Sequence, residues 1–250
     1  MKFFVVLLLL ISDIVFAQEE AFAVINDKDG YVNVRKEKSV HSKVLKKLDN
    51  NTLIFVFEYD KAQEGNWIYA DNEGYIYNDR VKWIEKLPKI AKGIAKGNTI
   101  VFEGKEIQVT LATEKFDKDK HSFKYHKEYR DVIEKIDGKP FWGTDGNMPK
   151  REYKSIEVKI RGKQVSIPQS AYSDLYQPNL YTDLNFVYYD KDSDILYIVA
   201  NNGDGAGGLY GLLADRKGCL QRKKSRYSFL KYRSHLLDYT FIVLTKNLLL

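Results

Sequence analysis

The chain has 250 residues, of which 44% are hydrophobic and 30% are charged. This mixture is too apolar for a disordered chain, and the length favours two modest domains over one large core. With 18 Tyr, 13 Phe and only 5 Pro, the composition also excludes collagen-like and proline-rich architectures.

The positive charge of the chain is concentrated at its C-terminal end. The formal net charge is +6, which by itself suggests an anionic partner such as nucleic acid. However, residues 209–250 contain 9 Lys and Arg against 2 Asp and Glu, whereas residues 18–208 contain 30 against 31. Because residues 18–208 have no excess of positive charge to neutralise phosphates, we do not expect them to bind nucleic acid.

The N-terminus has the features of a secretory signal peptide. Lys2 precedes an unbroken apolar run at 3–11, and the VFA segment at 15–17 provides a cleavage site before Gln18. The run is shorter than the ~20 residues that a membrane-spanning helix needs. We therefore expect residues 1–17 to be removed, leaving an exported protein, periplasmic or extracellular, with no stable membrane span.

Cysteine usage limits how an exported fold can be stabilised. Cys219 is the single cysteine, so the chain cannot form an internal disulfide or a cysteine-based metal site. The sequence therefore predicts a fold held by apolar packing, without a metal or other cofactor.

Residues 21–84 have the pattern of a small antiparallel barrel or sandwich. Short runs of β-branched and aromatic residues alternate with turns that contain Asp, Asn and Gly. The predicted strands include 32–34, 44–48, 53–57, 67–69 and 75–77. Strands this short and closely spaced predict a compact unit built only from β-structure.

Four segments of this unit resemble the bacterial Src-homology-3-like domain. They are GYVNVR at 30–35, SKV at 42–44, WIY at 67–69 and GYI at 74–76. The turn at 36–39 reads KEKS, where the family has a Ser-Gly-Pro-Ser-like turn. The resemblance implies a non-catalytic barrel that binds cell-wall peptide or another envelope ligand.

Trp67, Tyr69, Tyr75 and Tyr77 are the candidate binding residues of this unit. Because side chains alternate along a strand, Trp67 and Tyr69 share a face, as do Tyr75 and Tyr77. The rings could form an aromatic groove for a peptide or a sugar, since rigid rings give contact area at low entropic cost. Alternatively, they fill the small core of the unit, which needs several large side chains.

Residues 85–98 (EKLPKIAKGIAKGN) are interpreted as a linker, and residues 99–208 as a second antiparallel β-rich domain. Connections rich in Gly, Asp and charged residues predict three hairpins in this domain. Their strands are 99–102 with 107–111, 156–160 with 165–167, and 186–189 with 195–200. The predicted fold class is therefore mainly β, a small Src-homology-3-like barrel followed by a second antiparallel β-rich domain.

A single helix is predicted at 125–136 (YHKEYRDVIEKI) in the second domain. Tyr129, Val132, Ile133 and Ile136 fall on one stripe at helical spacing.

Three segments of the second domain resemble, more loosely, an uncharacterised β-rich domain that follows such barrels in secreted bacterial proteins. They are IDGKPFWGTDG at 136–146, AYSDLYQPNL at 171–180 and DGAGG at 204–208. This resemblance implies no known reaction.

Residues 209–250 lose the alternating pattern of the preceding chain and are interpreted as a basic tail. One hypothesis is a frameshift caused by a single base inserted just after the Gly208 codon. Synonymous codons then exist for which 209–230 reads YMVCWQIEKGVYKERKVAIPF and a stop, a strand–turn–strand pattern. The alternative is a natural basic tail that tethers the protein to an anionic surface, and sequencing the gene at this codon distinguishes the two. A frameshift would leave the second domain without its last hairpin and with an unpaired edge.

Trp142, Asp145 and Asp204 are the candidate ligand-binding residues of the second domain. Both aspartates lie in Gly-flanked loops, which the fold could bring together as paired carboxylates suited to glycoside hydrolysis. Alternatively, an Asp beside Gly is a turn former.

Other motifs carry a simpler interpretation. The G-x-G-x-x-G match at 203–208 has no following helix, and its Asp204 would repel a pyrophosphate. The acidic segment 190–194 (DKDSD) lacks the Gly and Glu of a calcium loop and is interpreted as a hairpin turn. His121 and His126 lack a third zinc ligand at suitable spacing and are interpreted as exposed residues.

These observations favour a binding protein over an enzyme. The leading hypothesis is an exported, non-catalytic protein of the bacterial envelope that recognises a peptide or a cell-wall glycopeptide. The alternatives are a cell-wall hydrolase that uses Asp145 and Asp204, and an inhibitor of another envelope protein.

Overall fold

The protein is mainly β, as the sequence predicts. The computed structural model describes residues 21–56, 66–71, 73–165, 167–203, 209–214, 220–225 and 239–245; the predicted signal peptide lies outside them. Within these ranges, helical structure is limited to short 3-10 turns, at Asn78–Arg80, Ile84–Lys86, Lys118–Lys120 and Gln169–Ala171. None of these described turns has the length or apolar character that a membrane crossing requires.

The first seven strands form one antiparallel sheet, here called the N-terminal sheet. They are β1 (Ala21–Ile25), β2 (Tyr31–Arg35), β3 (Val44–Asp49), β4 (Leu53–Val56), β5 (Trp67–Ala70), β6 (Gly74–Tyr77) and β7 (Val81–Trp83). Their order is β3-β2-β6-β5-β4-β1-β7. Strands β1, β2, β4, β5, β6 and β7 all contribute buried side chains to a core made only from this sheet, so the sheet curls around that core.

A five-stranded antiparallel sheet follows in the chain. Its strands are β8 (Ile94–Lys96), β9 (Thr99–Glu103), β10 (Ile107–Lys115), β13 (Arg151–Ile160) and β14 (Lys163–Val165). They lie in the order β14-β13-β10-β9-β8. Between β10 and β13 the chain forms a two-stranded ribbon of β11 (Phe123–Tyr125) and β12 (Ile133–Ile136).

A third sheet contains β15 (Pro178–Asn179), β16 (Phe186–Asp190), β17 (Ile195–Asn202), β18 (Leu209–Ala214), β19 (Leu220–Ser225) and β20 (Tyr239–Thr245). Strand β17 is its centre, because it pairs with β15, β16 and β20. The last three strands lie within the predicted basic tail, where β18 pairs in parallel with β20 and antiparallel with β19. The structure thus gives the edge of β17 a strand partner from the tail.

Strand β17 is buried on both faces and joins the two halves of the molecule. Leu196, Ile198 and Ala200 point into a large core with the five-stranded sheet, here called the main core. The alternating residues Tyr197 and Val199 pack against the N-terminal sheet in a second cluster, here called the interface core. Its other buried members are Phe22, Val24, Leu53, Phe55, Ile84, Tyr188 and Ile195. The two predicted domains therefore share buried surface.

The predicted linker, 85–98, is largely integrated into these sheets. The amide of Ile90 donates to the carbonyl of Val187 at 2.8 Å, and Lys89 forms an isolated bridge with Tyr188. Ile90 packs against the main core, and the segment then continues into β8 on the edge of the five-stranded sheet. Strand β8 itself buries no side chain, since all three of its residues are exposed, so the segment is held by its backbone pairing and by Ile90.

The predicted helix at 125–136 is wrong, because this segment forms a turn followed by strand β12. The ring Nδ1 of His126 accepts the backbone N–H groups of Glu128 and Tyr129, at 3.2 and 3.3 Å. A side chain that bonds nearby backbone in this way competes with helical hydrogen bonds. Ile133 and Ile136 are buried, whereas Tyr129 is 64% exposed, so the helical stripe does not share one environment.

Candidate functional site

The four candidate aromatic residues of the N-terminal sheet lie together on the outer side of one hairpin. Strands β5 and β6 pair Trp67 with Tyr77 and Tyr69 with Tyr75. The ring centroids are 5.0 Å apart in each pair, edge-on in the first pair and tilted in the second. All four side chains are half-buried, and we call them the aromatic face.

Strict alternation along the hairpin produces this face. The residues between the rings are Ile68, Ala70 and Ile76, which are buried in the core of the N-terminal sheet. Consecutive side chains of a strand point to opposite sides, so burial of these three turns every ring outward. The core is therefore filled by aliphatic residues and Trp83, and the alternative in which the four candidate rings fill it is not what the structure shows.

Gly74 lets this hairpin lie close against β2. A side-chain carbon at this position would lie 2.6 Å from the carbonyl oxygen of Arg35 and 2.8 Å from a methyl carbon of Val34. Only glycine can accept a backbone approach this close. The glycine that leads into the Tyr75-Ile76-Tyr77 strand thus positions the aromatic face relative to the rest of the sheet.

A groove of about 340 Å³ adjoins the aromatic face. Trp67 and Tyr77 form part of its wall, together with Tyr31, Asn33 and Arg35 of β2. The side-chain oxygen of Asn33 is buried and has no hydrogen-bond partner among the described residues. The groove thus combines apolar rings, an amide acceptor and a guanidinium donor, which is the usual lining of a site for a polar organic ligand.

An ion pair fixes the far end of the groove. Arg80 donates to Asp27 at 2.5 Å, and this contact, with the backbone N–H of Asp29, holds the pKa of the Asp27 carboxyl below its usual range. Asp27 also accepts this N–H at 2.7 Å. The carboxylate is therefore ionised and engaged, so it shapes the groove.

The candidate residues of the second domain do not form one site. Trp142 is 8% exposed and belongs to the main core, so its assignment as a surface binding residue is corrected. The next residue, Gly143, lets the chain run close to Tyr176, because a side-chain carbon at 143 would collide with the Tyr176 carbonyl. Asp145 lies in an exposed loop, and Asp204 lies outside the described residues.

A cluster that the sequence analysis missed surrounds His121. Its Nδ1 lies 2.7 Å from Oδ2 of Asp137, and its Nε2 lies 3.3 Å from Oε2 of Glu152. The ring stacks on Phe116, with centroids 4.6 Å apart and an interplanar angle of 16°, and meets Tyr176 edge-on. The His121 side chain is only 14% exposed, so its interpretation as an exposed histidine is wrong.

The two carboxyls beside His121 have opposite electrostatic environments. Burial raises the pKa of Glu152, and the negative charge of Glu114 adds to this effect against the opposing influence of His121. Burial also acts on Asp137, but the backbone N–H of Ser122 and the contact with His121 outweigh it and lower its pKa. Carboxyls whose environments separate their pKa values are a common feature of functional sites.

His121 and Glu152 line a cleft of about 590 Å³. Its rim carries both signs of charge, including Glu114, Lys115 and Lys120. Across the part of the chain that the structure describes, no three His, Cys, Asp or Glu side chains converge in a way that suits a metal ion. The two carboxylates bind opposite edges of the imidazole.

Comparison of the chain with family models, with curated proteins and with solved structures finds no match. The class defined by the fold and the site is therefore a mainly β protein with an outward aromatic face and a polar cleft. Sequence alternation could identify the aromatic face. The His121 cluster had no such signal, because its residues come from separate segments.

Proposed function

We propose that the protein is an exported binding protein of the bacterial envelope, whose aromatic face and adjoining groove bind a peptide or a cell-wall glycopeptide. The signal-peptide pattern at 1–17 supports export, and the Src-homology-3-like segments support an envelope ligand. The observation that carries the proposal is the arrangement of the four outward rings beside the groove.

The aromatic face has the composition of a recognition surface. Trp and Tyr provide large, rigid contact areas with a polar tip, and they are enriched where proteins bind partners. Four such rings remain partly in water while aliphatic residues and Trp83 fill the core behind them. Contiguous exposed apolar surface of this kind is typical of binding sites.

The groove adds groups that a polar ligand would use. Asn33 and Arg35 both line the groove, and an Asn side chain offers an amide N–H₂ donor as well as its oxygen. Arg35 uses Nη1 for the carbonyl of Ser42 at 2.8 Å, and a guanidinium has five N–H donors in total. A ligand with amide groups or hydroxyls could satisfy both residues while it packs on Trp67 and Tyr77.

A sedimentation assay on purified bacterial cell wall tests this proposal. The mature protein is mixed with the insoluble wall, and the bound fraction is compared with that of the double variant Trp67→Ala/Tyr77→Ala. We expect the variant to lose about tenfold or more in affinity, as central aromatic contacts do. Tyr129→Ala is the matched control, because this tyrosine is 64% exposed on the second domain.

The same material distinguishes binding from hydrolysis. A dye-release assay on labelled wall is expected to show no soluble fragments. Release that disappears in Asp145→Asn would replace the binding proposal with the hydrolase alternative. Absence of wall binding by the unaltered protein, or equal losses in the double variant and the Tyr129→Ala control, would contradict the proposed role of the aromatic face.

A further inference from the structure

The ring of His121 has a carboxylate oxygen close to each of its two nitrogens, and a neutral imidazole carries a proton on only one of them. A neutral imidazole has one N–H donor and one lone pair, and an ionised carboxylate only accepts. Both ring nitrogens of His121 nevertheless face a carboxylate oxygen, Nδ1 facing Asp137 at 2.7 Å and Nε2 facing Glu152 at 3.3 Å. With a neutral histidine and two ionised carboxylates, the ring nitrogen that carries no proton would point its lone pair at a negatively charged oxygen.

One added proton resolves this conflict in either of two ways. It can make His121 an imidazolium that donates to both carboxylates, or it can protonate Glu152, which then donates to Nε2. Because the groups are coupled, the proton belongs to the set of three and not to one residue.

We propose that Asp137, His121 and Glu152 form a one-proton clasp, which ties the His121 end of the 116–122 loop to β13 when the proton is bound and loosens it when the proton leaves. The clasp is distinct from the aromatic face, and it does not depend on the proposed ligand.

The position of His121 makes the clasp a connection between separate elements. His121 lies in the loop after β10, Asp137 directly follows β12, and Glu152 belongs to β13. The ring is held flat between these residues by Phe116. The Ser122 N–H also donates to Asp137, at 2.9 Å. Loss of the contact with Glu152 would therefore loosen the His121 end of the loop, while its other end stays bound through the Phe116 N–H, which donates to the carbonyl of Lys150 at 3.0 Å.

The charges around the clasp come from every element packed against it. Strand β10 contributes Glu114 and Lys115, and the loop itself contributes Asp117 and Lys120, which lie 3.3 Å from each other. Tyr176 approaches from the segment before β15. Glu114 is directly opposite Glu152 in the pairing of β10 with β13. Like charges in this position repel, so Glu114 favours retention of the proton, in agreement with the raised pKa of Glu152.

The variant Glu152→Gln tests whether the added proton is what closes the clasp. A glutamine amide can donate to the lone pair of Nε2 while Nδ1–H still donates to Asp137, so the clasp closes without an added proton. Glu114→Gln is the matched comparison, because it removes the same charge from the opposing strand position and leaves the three clasp residues in place. Since Glu114 favours retention of the proton, this variant should lose the proton at lower pH.

Hydrogen exchange of the full mature protein provides the readout. Protection factors of the 117–122 amides, corrected for intrinsic exchange, are measured from about pH 5.5 to about pH 8.5, on both sides of neutrality. We expect protection to fall by about tenfold or more across this range in the unaltered protein, and by a similar factor at lower pH in Glu114→Gln. In Glu152→Gln it should change by less than about twofold.

A second variant, Asp137→Asn, keeps the test valid if Glu152→Gln fails to fold. Asp137→Asn also supplies a neutral donor to the ring and should likewise remove the pH dependence. Equal pH dependence in the unaltered protein and in a folded Glu152→Gln or Asp137→Asn variant would overturn the clasp. Loss of the dependence in Glu114→Gln, or no dependence in the unaltered protein, would also overturn it.

Discussion

Two hairpins of this protein have nearly the same pattern and opposite surroundings. In β5–β6, Trp67 pairs with Tyr77 and the rings lie half-exposed on the outer side. In β16–β17, Tyr188 pairs with Tyr197 and both rings are buried, at 5% and 0% exposure. The difference is that the N-terminal sheet covers the second pair. Alternation determines which rings share a face, and docking of another sheet determines whether that face is buried.

The comparison separates two uses of aromatic side chains. A buried ring contributes the transfer of its whole apolar area from water, which is several kcal/mol for a large side chain at ~25 cal/mol per Å². An outward ring contributes a cross-strand contact of about 0.5–1.5 kcal/mol. The first hairpin leaves its ring surface partly in water, whereas the second uses it to hold the two sheets together.

The largest expected effect comes from truncating a ring of the buried hairpin. Tyr197→Ala should lower the free energy of unfolding by about 3–5 kcal/mol, because it leaves a cavity between the sheets. Tyr69→Ala, the matched change on the aromatic face, should cost about 1 kcal/mol. Urea unfolding of both variants measures the difference. Similar losses in the two variants would contradict the distinction between the hairpins.

The ion pair beside the buried hairpin should make stability depend on acid. Lys82 of the N-terminal sheet donates to Asp190 at 2.8 Å, and Ser193 donates to it at 2.6 Å. Burial opposes ionisation of Asp190, but these donors outweigh it and lower its pKa. Its contribution is therefore complete above the unfolded-state value of about 3.9 and is lost as pH falls through the lower folded-state value.

Asp190→Asn tests this contribution. At neutral pH the variant should lose about 1–3 kcal/mol, the range for hydrogen bonds to a charged group, and the loss should shrink toward zero in acid. Urea unfolding at several pH values measures it. Asp192→Asn is the control, since that carboxyl is 92% exposed and lies 3.9 Å from Lys82. A loss that is independent of pH, or that the control reproduces, would show that the pair does not link the two sheets.

The smallest expected effect has the opposite sign. The Tyr197 hydroxyl is buried and has no hydrogen-bond partner among the described residues, and burial raises its pKa. Tyr197→Phe removes an unsatisfied polar group without removing the ring, so stability should stay equal or increase by about 1 kcal/mol. Thermal unfolding at fixed pH measures this change. A clear loss of stability would mean that the hydroxyl bonds to a group outside the described residues.

Local sequence pattern predicted much of the fold. The β-rich class, five of the seven strands of the N-terminal sheet and the three hairpins of the second half follow from alternation and turn residues, which act over a few positions. Strands β1 and β7 were not among the predicted strands. The aromatic face follows from the same alternation. The helix at 125–136 failed because its apolar spacing fits a helical stripe equally well, and only the His126 side chain and the pairing of β12 with β11 resolve the ambiguity.

Contacts between distant segments could not be predicted in this way. Asp137 and Glu152 lie 16 and 31 positions from His121 in the chain, and nothing near the histidine indicates either partner. Burial of Trp142 also depends on distant segments, since its neighbours come from Leu175 and the main core. Such sites are visible only after the sheets are assembled.

The double burial of β17 has a consequence for how this protein could have evolved. Phe22, Val24, Leu53 and Phe55 of the N-terminal sheet rest on a hairpin encoded more than a hundred residues later. A gene rearrangement that moved the first unit elsewhere would leave these side chains in water unless the recipient offered an equivalent cover. The two halves are therefore constrained to be inherited together, and substitutions on one side of their contact should be matched on the other.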